Sequence, residues 1–106
     1  QGTAVLIRAV EPVEGIDSMI KNRFGRKLNN DKEIFNLTSG PGKVCQAFRI
    51  DRSDSGTDLT GNEIFILEGE KIRSKDIGIS KRVGITRSVD LLWRFFINNN
   101  PYLSRR

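Results

Sequence analysis

The chain opens on a short apolar run. Residues 4–10 read Ala-Val-Leu-Ile-Arg-Ala-Val, bounded by Gly2 and Pro12. Their length and β-branching predict a buried strand, interrupted at Arg8. After Val13-Glu14-Gly15 the period changes. Ile16, Met19, Ile20 and Phe24 recur at helical spacing, which predicts a helix over residues 16–23 with one apolar face. Residues 25–36 are polar, carry Asn29-Asn30-Asp31, and read as a loop or a short helical excursion. Leu37-Thr38-Ser39-Gly40-Pro41-Gly42-Lys43 is a helix start, with Thr38 or Ser39 as cap and Pro41 in the only turn that tolerates it. The helix is then expected over Pro41–Phe48, burying Val44, Ala47 and Phe48.

The second half is patterned for strands. Residues 51–62 are turn-rich, and Ile64, Phe65, Ile66 and Leu67 predict a strand over 63–68 that Gly69-Glu70 turns. Residues 77–80 and 82–86 are short β-branched pieces expected to pair antiparallel. Leu91, Leu92, Trp93, Phe95 and Phe96 predict a strand over 91–97, with a turn at 98–100 before Pro101. The fold class is therefore α+β, a mostly antiparallel β-sheet with a few short helices to one side. The pattern holds no internal repeat and no low-complexity segment.

Composition narrows the chemistry. A chain of 106 residues suits one small domain or part of a larger one. Lys and Arg number 18 against 13 Asp and Glu, a net charge of +5 that permits a polyanionic partner without requiring one. A single cysteine, Cys45, excludes an intrachain disulfide and fits a reducing compartment. The absence of histidine excludes a Cys–His zinc site and removes the commonest general base. No apolar run reaches the roughly 18 residues of a membrane span, and no signal peptide is visible. The opening Gln1-Gly2-Thr3 leads almost at once into the apolar run, which is expected of a chain whose upstream part is missing.

Several segments carry chemistry with more than one reading. Ser39-Gly40-Pro41-Gly42-Lys43 places glycines and a lysine at a helix start, which suits a phosphate contact, but a plain cap with a solvated lysine fits as well. The spacing is not that of a Walker A loop. Arg8, inside an apolar run, either points into a polar cleft or lies on the exposed face of a half-buried strand. Residues 51–56 resemble the opening of a calcium loop, yet Asn62 stands where a bidentate Glu is needed, so a turn with Asx caps is the better reading. Residues 81–87, Lys-Arg-Val-Gly-Ile-Thr-Arg, suit a phosphate backbone or a charged edge strand equally. Trp93, Phe95 and Phe96 read as core rather than base-stacking platforms, and Cys45 as buried helix packing rather than a nucleophile.

Taken in order, these segments resemble the alkyladenine (3-methyladenine) DNA glycosylase family. The resemblance runs through residues 1–15, 39–48, 50–53 with 58–60, 82–85 and 93–104, and so covers essentially the whole chain. Its most specific parts are L-x-R-A-x-E-P-x-E-G, starting at Leu6, and S-G-P-x-K-x-C-Q-A, starting at Ser39. The resemblance implies a base-excision repair enzyme acting on double-stranded DNA, soluble in the cytoplasm or nucleus, monomeric, and free of metal and cofactor. It implies that the damaged purine is flipped into a pocket while water attacks the sugar C1′. Carried over by position, Arg8 matches an arginine that helps hold the attacking water, and Val83 matches a residue whose carbonyl contacts the same water. Leu6 matches a wall of the base pocket. Lys43, Arg52 and Arg82 match positions along the DNA backbone, and Gly84 one adjacent to the nucleotide.

In that family the catalytic glutamate, the tyrosine wedge and the aromatic and histidine pocket walls lie upstream of the segment that begins here. Residues 1–106 are thus expected to be the C-terminal portion of one larger glycosylase domain, inactive alone and joined by the missing half. Two other readings remain: a non-catalytic basic DNA-binding module, and a structural domain with incidental positive charge.

Overall fold

The computed structural model describes residues 4–80 and 94–103. They belong to two compact units, one built from Gln1–Ile66 with Pro101–Arg106 and the other from Leu67–Asn100.

The first unit is organised by two short helices, α1 (Ile16–Phe24) and α2 (Pro41–Phe48), both where their periodicity predicts them. α1 starts and stops at glycines in left-handed backbone, Gly15 at φ 70° and Gly25 at φ 66°. An L side chain is strained there, and the Gly25 amide closes the helix by donating to the Lys21 carbonyl at 3.0 Å. Asp17 in the first turn and Lys21 and Arg23 in the last complement the helix dipole. Met19 is buried, and Ile16, Ile20 and Phe24 pack beside it as the spacing requires.

α2 has Pro41 in its first turn, but Gly40 is its N-cap and no side chain caps it. Thr38 and Ser39 are turned inward and buried, so neither plays the capping part expected of it. The Thr38 hydroxyl donates to the Val10 carbonyl at 2.6 Å. The core consists of Met19, Leu37 and Ala47. With Ala47 aimed inward, Val44 three residues earlier is half-buried on the same face. Phe48 and Cys45 fall roughly 100° and 200° around the helix and are exposed, against the expectation that both are buried.

Between the helices, residues 25–36 include the short helical excursion, a 3-10 helix over Asp31–Asn36. Asn30 caps it by accepting from the amides of Lys32 and Glu33. Residues 51–54 form a second 3-10 turn with a reciprocal capping box between Asp51 and Asp54.

Two predicted strands are absent. Residues 4–10 form none, and Val5, Leu6 and Ile7 are exposed. The only backbone hydrogen bond found for this run among the described residues is Val10 N–H to the Thr38 carbonyl, at 3.1 Å. A strand needs a neighbour to satisfy its backbone, and among the described residues none pairs with this run. Residues 63–68 likewise form no strand. They are held by an isolated antiparallel bridge, Thr60 to Phe65, and by the Ile66 amide on Leu59. Phe65, Ile66 and Leu67 stay exposed.

The second unit contains an antiparallel pair, β1 (Ile77–Ser80) and β2 (Arg94–Ile97). β1 falls where the sequence places a strand, and its partner here is β2. Residues 82–86, the partner expected for it, lie outside the described residues, as do 91–93 at the start of the last predicted strand. Phe95, read as core, is exposed, as are Ile77, Ile79 and Ile97 beside it. Phe96 is half-buried. The α+β class holds, with a smaller described sheet than the pattern suggests. Among the described residues no helix is long and apolar enough to cross a membrane.

Candidate functional site

The first of the two most specific motifs is tied to the residue just before the second. Val10 and Thr38 exchange a backbone bond of 3.1 Å and a side-chain bond of 2.6 Å. Thr38 is fully buried, so both bonds are shielded from water. This clasp brings the segment carrying Leu6 and Arg8 beside the Ser39–Lys43 turn that leads into α2. Sequence reading missed Thr38 in this role, having placed it at the helix cap. Its position just after Leu37, the most deeply buried apolar side chain, is the one local hint that the hydroxyl faces inward.

Arg8 is half-buried, and nothing pairs with its guanidinium among the described residues. Leu6, two residues earlier, is 58% exposed. Lys43 reaches back along the first turn of α2, and its ammonium contacts the Asn36 side-chain oxygen and the Ser39 hydroxyl, the latter at 3.3 Å. Two of its three donors are thereby committed. Arg52 lies exposed in the 3-10 turn after α2. Arg82, Val83 and Gly84 lie outside the described residues. The expected meeting of Arg8 and Val83 therefore stays an expectation.

Arg23 is the residue that fixes the loop behind this region. Its Nε donates to the Leu37 carbonyl at 2.9 Å and its two Nη atoms to the Asn36 carbonyl at 3.0 Å and the Gln46 side chain at 3.1 Å. Asn22 adds a bond to the Ala47 carbonyl at 2.8 Å. The end of α1 thus holds both flanks of the Ser39–Lys43 turn. Helical spacing alone does not reveal this, because it reports only the apolar face.

The displaced carboxylates are all displaced downward. The Arg26 guanidinium and the Asn29 amide hold Glu33 at about 2. The Ser53 hydroxyl and amide lower Asp51, and those of Thr60 lower Asp58. Each serves as a structural acceptor, and a lowered pKa makes a poor general base near neutrality. Among the described residues no group of three or more His, Cys, Asp or Glu side chains gathers that could hold a metal ion. An open depression of about 630 Å³ lies between the C-terminal turns of the helices, lined by Lys21, Asn22, Cys45, Gln46, Arg49, Ile50 and Asp51. It contains none of the predicted site residues.

The first unit thus clasps an arginine-bearing segment to a Gly-Pro-Gly-Lys helix start. The family model described as methylpurine-DNA glycosylase matches residues 1–101, and the chain belongs to that family. A protein of Alkaliphilus oremlandii is 44% identical over 108 residues, covering 97% of this chain and 53% of its own length. One of Prosthecochloris aestuarii is 47% identical over 107 residues, covering 99% and 49%. One of Clostridium acetobutylicum is 47% identical over 106 residues, covering 94% and 51%. All three carry the name "Putative 3-methyladenine DNA glycosylase". The chain spans about half the length of the curated relatives it matches.

Proposed function

We propose that the chain is one half of a DNA glycosylase that hydrolyses the N-glycosidic bond of alkylated or deaminated purines after base flipping, and that it is inactive without the other half. The observation that supports this most is family membership over residues 1–101, with the first specific motif tied at the Val10–Thr38 clasp to the residue just before the second. Water adds to C1′ of an extruded nucleotide, and the electron pair of the glycosidic bond leaves with the purine. A carboxylate takes the proton released by the water and offsets the positive charge that develops on the sugar. By the family resemblance, the other half supplies that carboxylate. Arg8 and the Val83 carbonyl hold the water, and Leu6 forms part of the purine pocket. Lys43, Arg52 and Arg82 neutralise phosphates of double-stranded DNA, and Gly84 lets the backbone approach the nucleotide. The reaction needs neither a metal nor a Schiff base.

The test is reconstitution. The chain is co-expressed with the half of the Alkaliphilus oremlandii relative that it does not match, and release of 3-methyladenine and hypoxanthine from duplex DNA is measured. Release by the assembled pair, and by neither half alone, is expected. An assembled pair that binds DNA but releases no base overturns the catalytic reading and leaves a basic binding module.

A further inference from the structure

The β1–β2 ribbon has one finished face and one unfinished face. Its register pairs Ile77 with Ile97, Gly78 with Phe96, Ile79 with Phe95 and Ser80 with Arg94. Residues directly opposite share a face and successive residues alternate. Ile77, Ile79, Phe95 and Ile97 therefore stand together on one side, and Gly78, Ser80, Arg94 and Phe96 on the other. The second side makes contacts within the ribbon. The Phe96 ring lies so near Gly78 that any Cβ there would collide with it, the Arg94 guanidinium sits 4.5 Å above the same ring, and Arg94 donates to the Ser80 hydroxyl at 3.1 Å. The first side is bare: Ile77, Ile79, Phe95 and Ile97 are 38%, 54%, 66% and 43% exposed.

Strict alternation of this kind belongs to a sheet with one face on a core. A two-stranded ribbon is marginal in water until such a face is covered. The length of the relatives indicates what covers it. This chain accounts for 53% and 49% of the length of two relatives, so a family member carries about as much polypeptide again. A second copy is the poorer candidate, since it sets two chains of net charge +5 against each other. We propose that the Ile77, Ile79, Phe95 and Ile97 face docks the other half of the glycosylase polypeptide, the part of the relatives' length that this chain does not match, through an apolar layer of that half. The proposal rests on the reading of the chain as half of a glycosylase.

The experiment uses the co-expressed pair with the complementary half of the Alkaliphilus oremlandii relative. Co-purification, light scattering and amide exchange at Ile77–Ser80 and Arg94–Ile97 are measured against the chain alone. A one-to-one complex is expected, with exchange at these amides slowed about 10-fold or more, because an uncovered ribbon opens readily. Ile79→Lys with Phe95→Lys should weaken association about 100-fold by burying unpaired charge, whereas Ile79→Val should not. Both lysines replace exposed side chains, and exchange in the variant chain alone verifies that the ribbon survives. The proposal is overturned if no complex co-purifies, if the double variant associates like the parent, if exchange is unchanged, or if the chain alone already protects these amides as a monomer or a homodimer. A pair that meets these expectations yet releases no purine keeps the docking face and sinks the catalytic reading. Full release by a double variant that still associates does the reverse.

Discussion

The Thr38 hydroxyl and the Arg23 guanidinium do at the residue scale what regular structure does not do for the first unit. Each satisfies backbone carbonyls in or beside the loops, Val10 in one case and Asn36 and Leu37, at the end of the 3-10 helix, in the other. Removing one partner of a buried bond costs more than the bond contributes, because the other stays desolvated. Thr38→Val keeps the shape and leaves the Val10 carbonyl without its donor. It should lower stability by about 1–3 kcal/mol in urea unfolding, and amide exchange at Val10 should quicken. An unchanged midpoint would mean that the clasp is incidental. A second residue-scale effect is set by acid. Arg26 and the Asn29 amide lower Glu33 from the ordinary 4.5 to about 2 in the folded chain. The unfolded chain therefore takes up the proton first, so folding gains from the ionised carboxylate above pH 4.5 and loses that gain as pH falls toward 2. Glu33→Gln should flatten the dependence of the unfolding midpoint on pH within that window and leave its slope near neutrality as it was.

At the scale of elements, the helices were legible and the strands were only partly so. α1 and α2 are local objects. Apolar spacing, Gly15 and Gly25 at the ends of one, and Pro41 at the start of the other fix their bounds without help from distant chain. α2 ends less comfortably, on Arg49 in left-handed backbone at φ 56°. A side chain costs about 1–2 kcal/mol in that conformation. Arg49→Gly should therefore raise the thermal midpoint, and a fall would show that the Arg49 side chain contributes more than its backbone costs. The strands depend on neighbours. Residues 4–10 and 63–68 have strand composition, yet a strand exists only where another backbone pairs with it, and composition cannot report whether one is present. The candidate site divides on the same line. Leu6, Arg8, Lys43 and Arg52 could be named from motifs, because motifs record chemistry. That Val10 and Thr38 tie the first motif to the residue just before the second, and that Asn36 and Ser39 hold Lys43, are facts of packing that no spacing encodes.

Across the whole molecule, the described residues of the chain hold a core of three buried apolar side chains, Met19, Leu37 and Ala47, in the first unit. Its net charge of +5 permits a polyanionic partner, and salt dependence can separate the roles proposed for its basic residues. Each phosphate neutralised adds about 0.9 to the slope of log K against log salt for duplex DNA. Lys43 keeps one donor free while Asn36 and Ser39 hold the others, and Arg52 is fully open to solvent contact. In the reconstituted pair, Lys43→Ala and Arg52→Ala should each reduce the slope by about 0.9 and weaken damaged and undamaged duplex alike. Arg8 differs. It sits two residues before the clasp, half-buried and unpaired among the described residues, and its proposed role is to position water. Arg8→Ala should leave the salt slope where it is and lower the single-turnover rate of base release, about 100-fold for a lost transition-state contact. If Arg8→Ala instead shifts the slope as much as Lys43→Ala and release falls only with binding, then Arg8 is one more phosphate contact, and the water must be held by other groups.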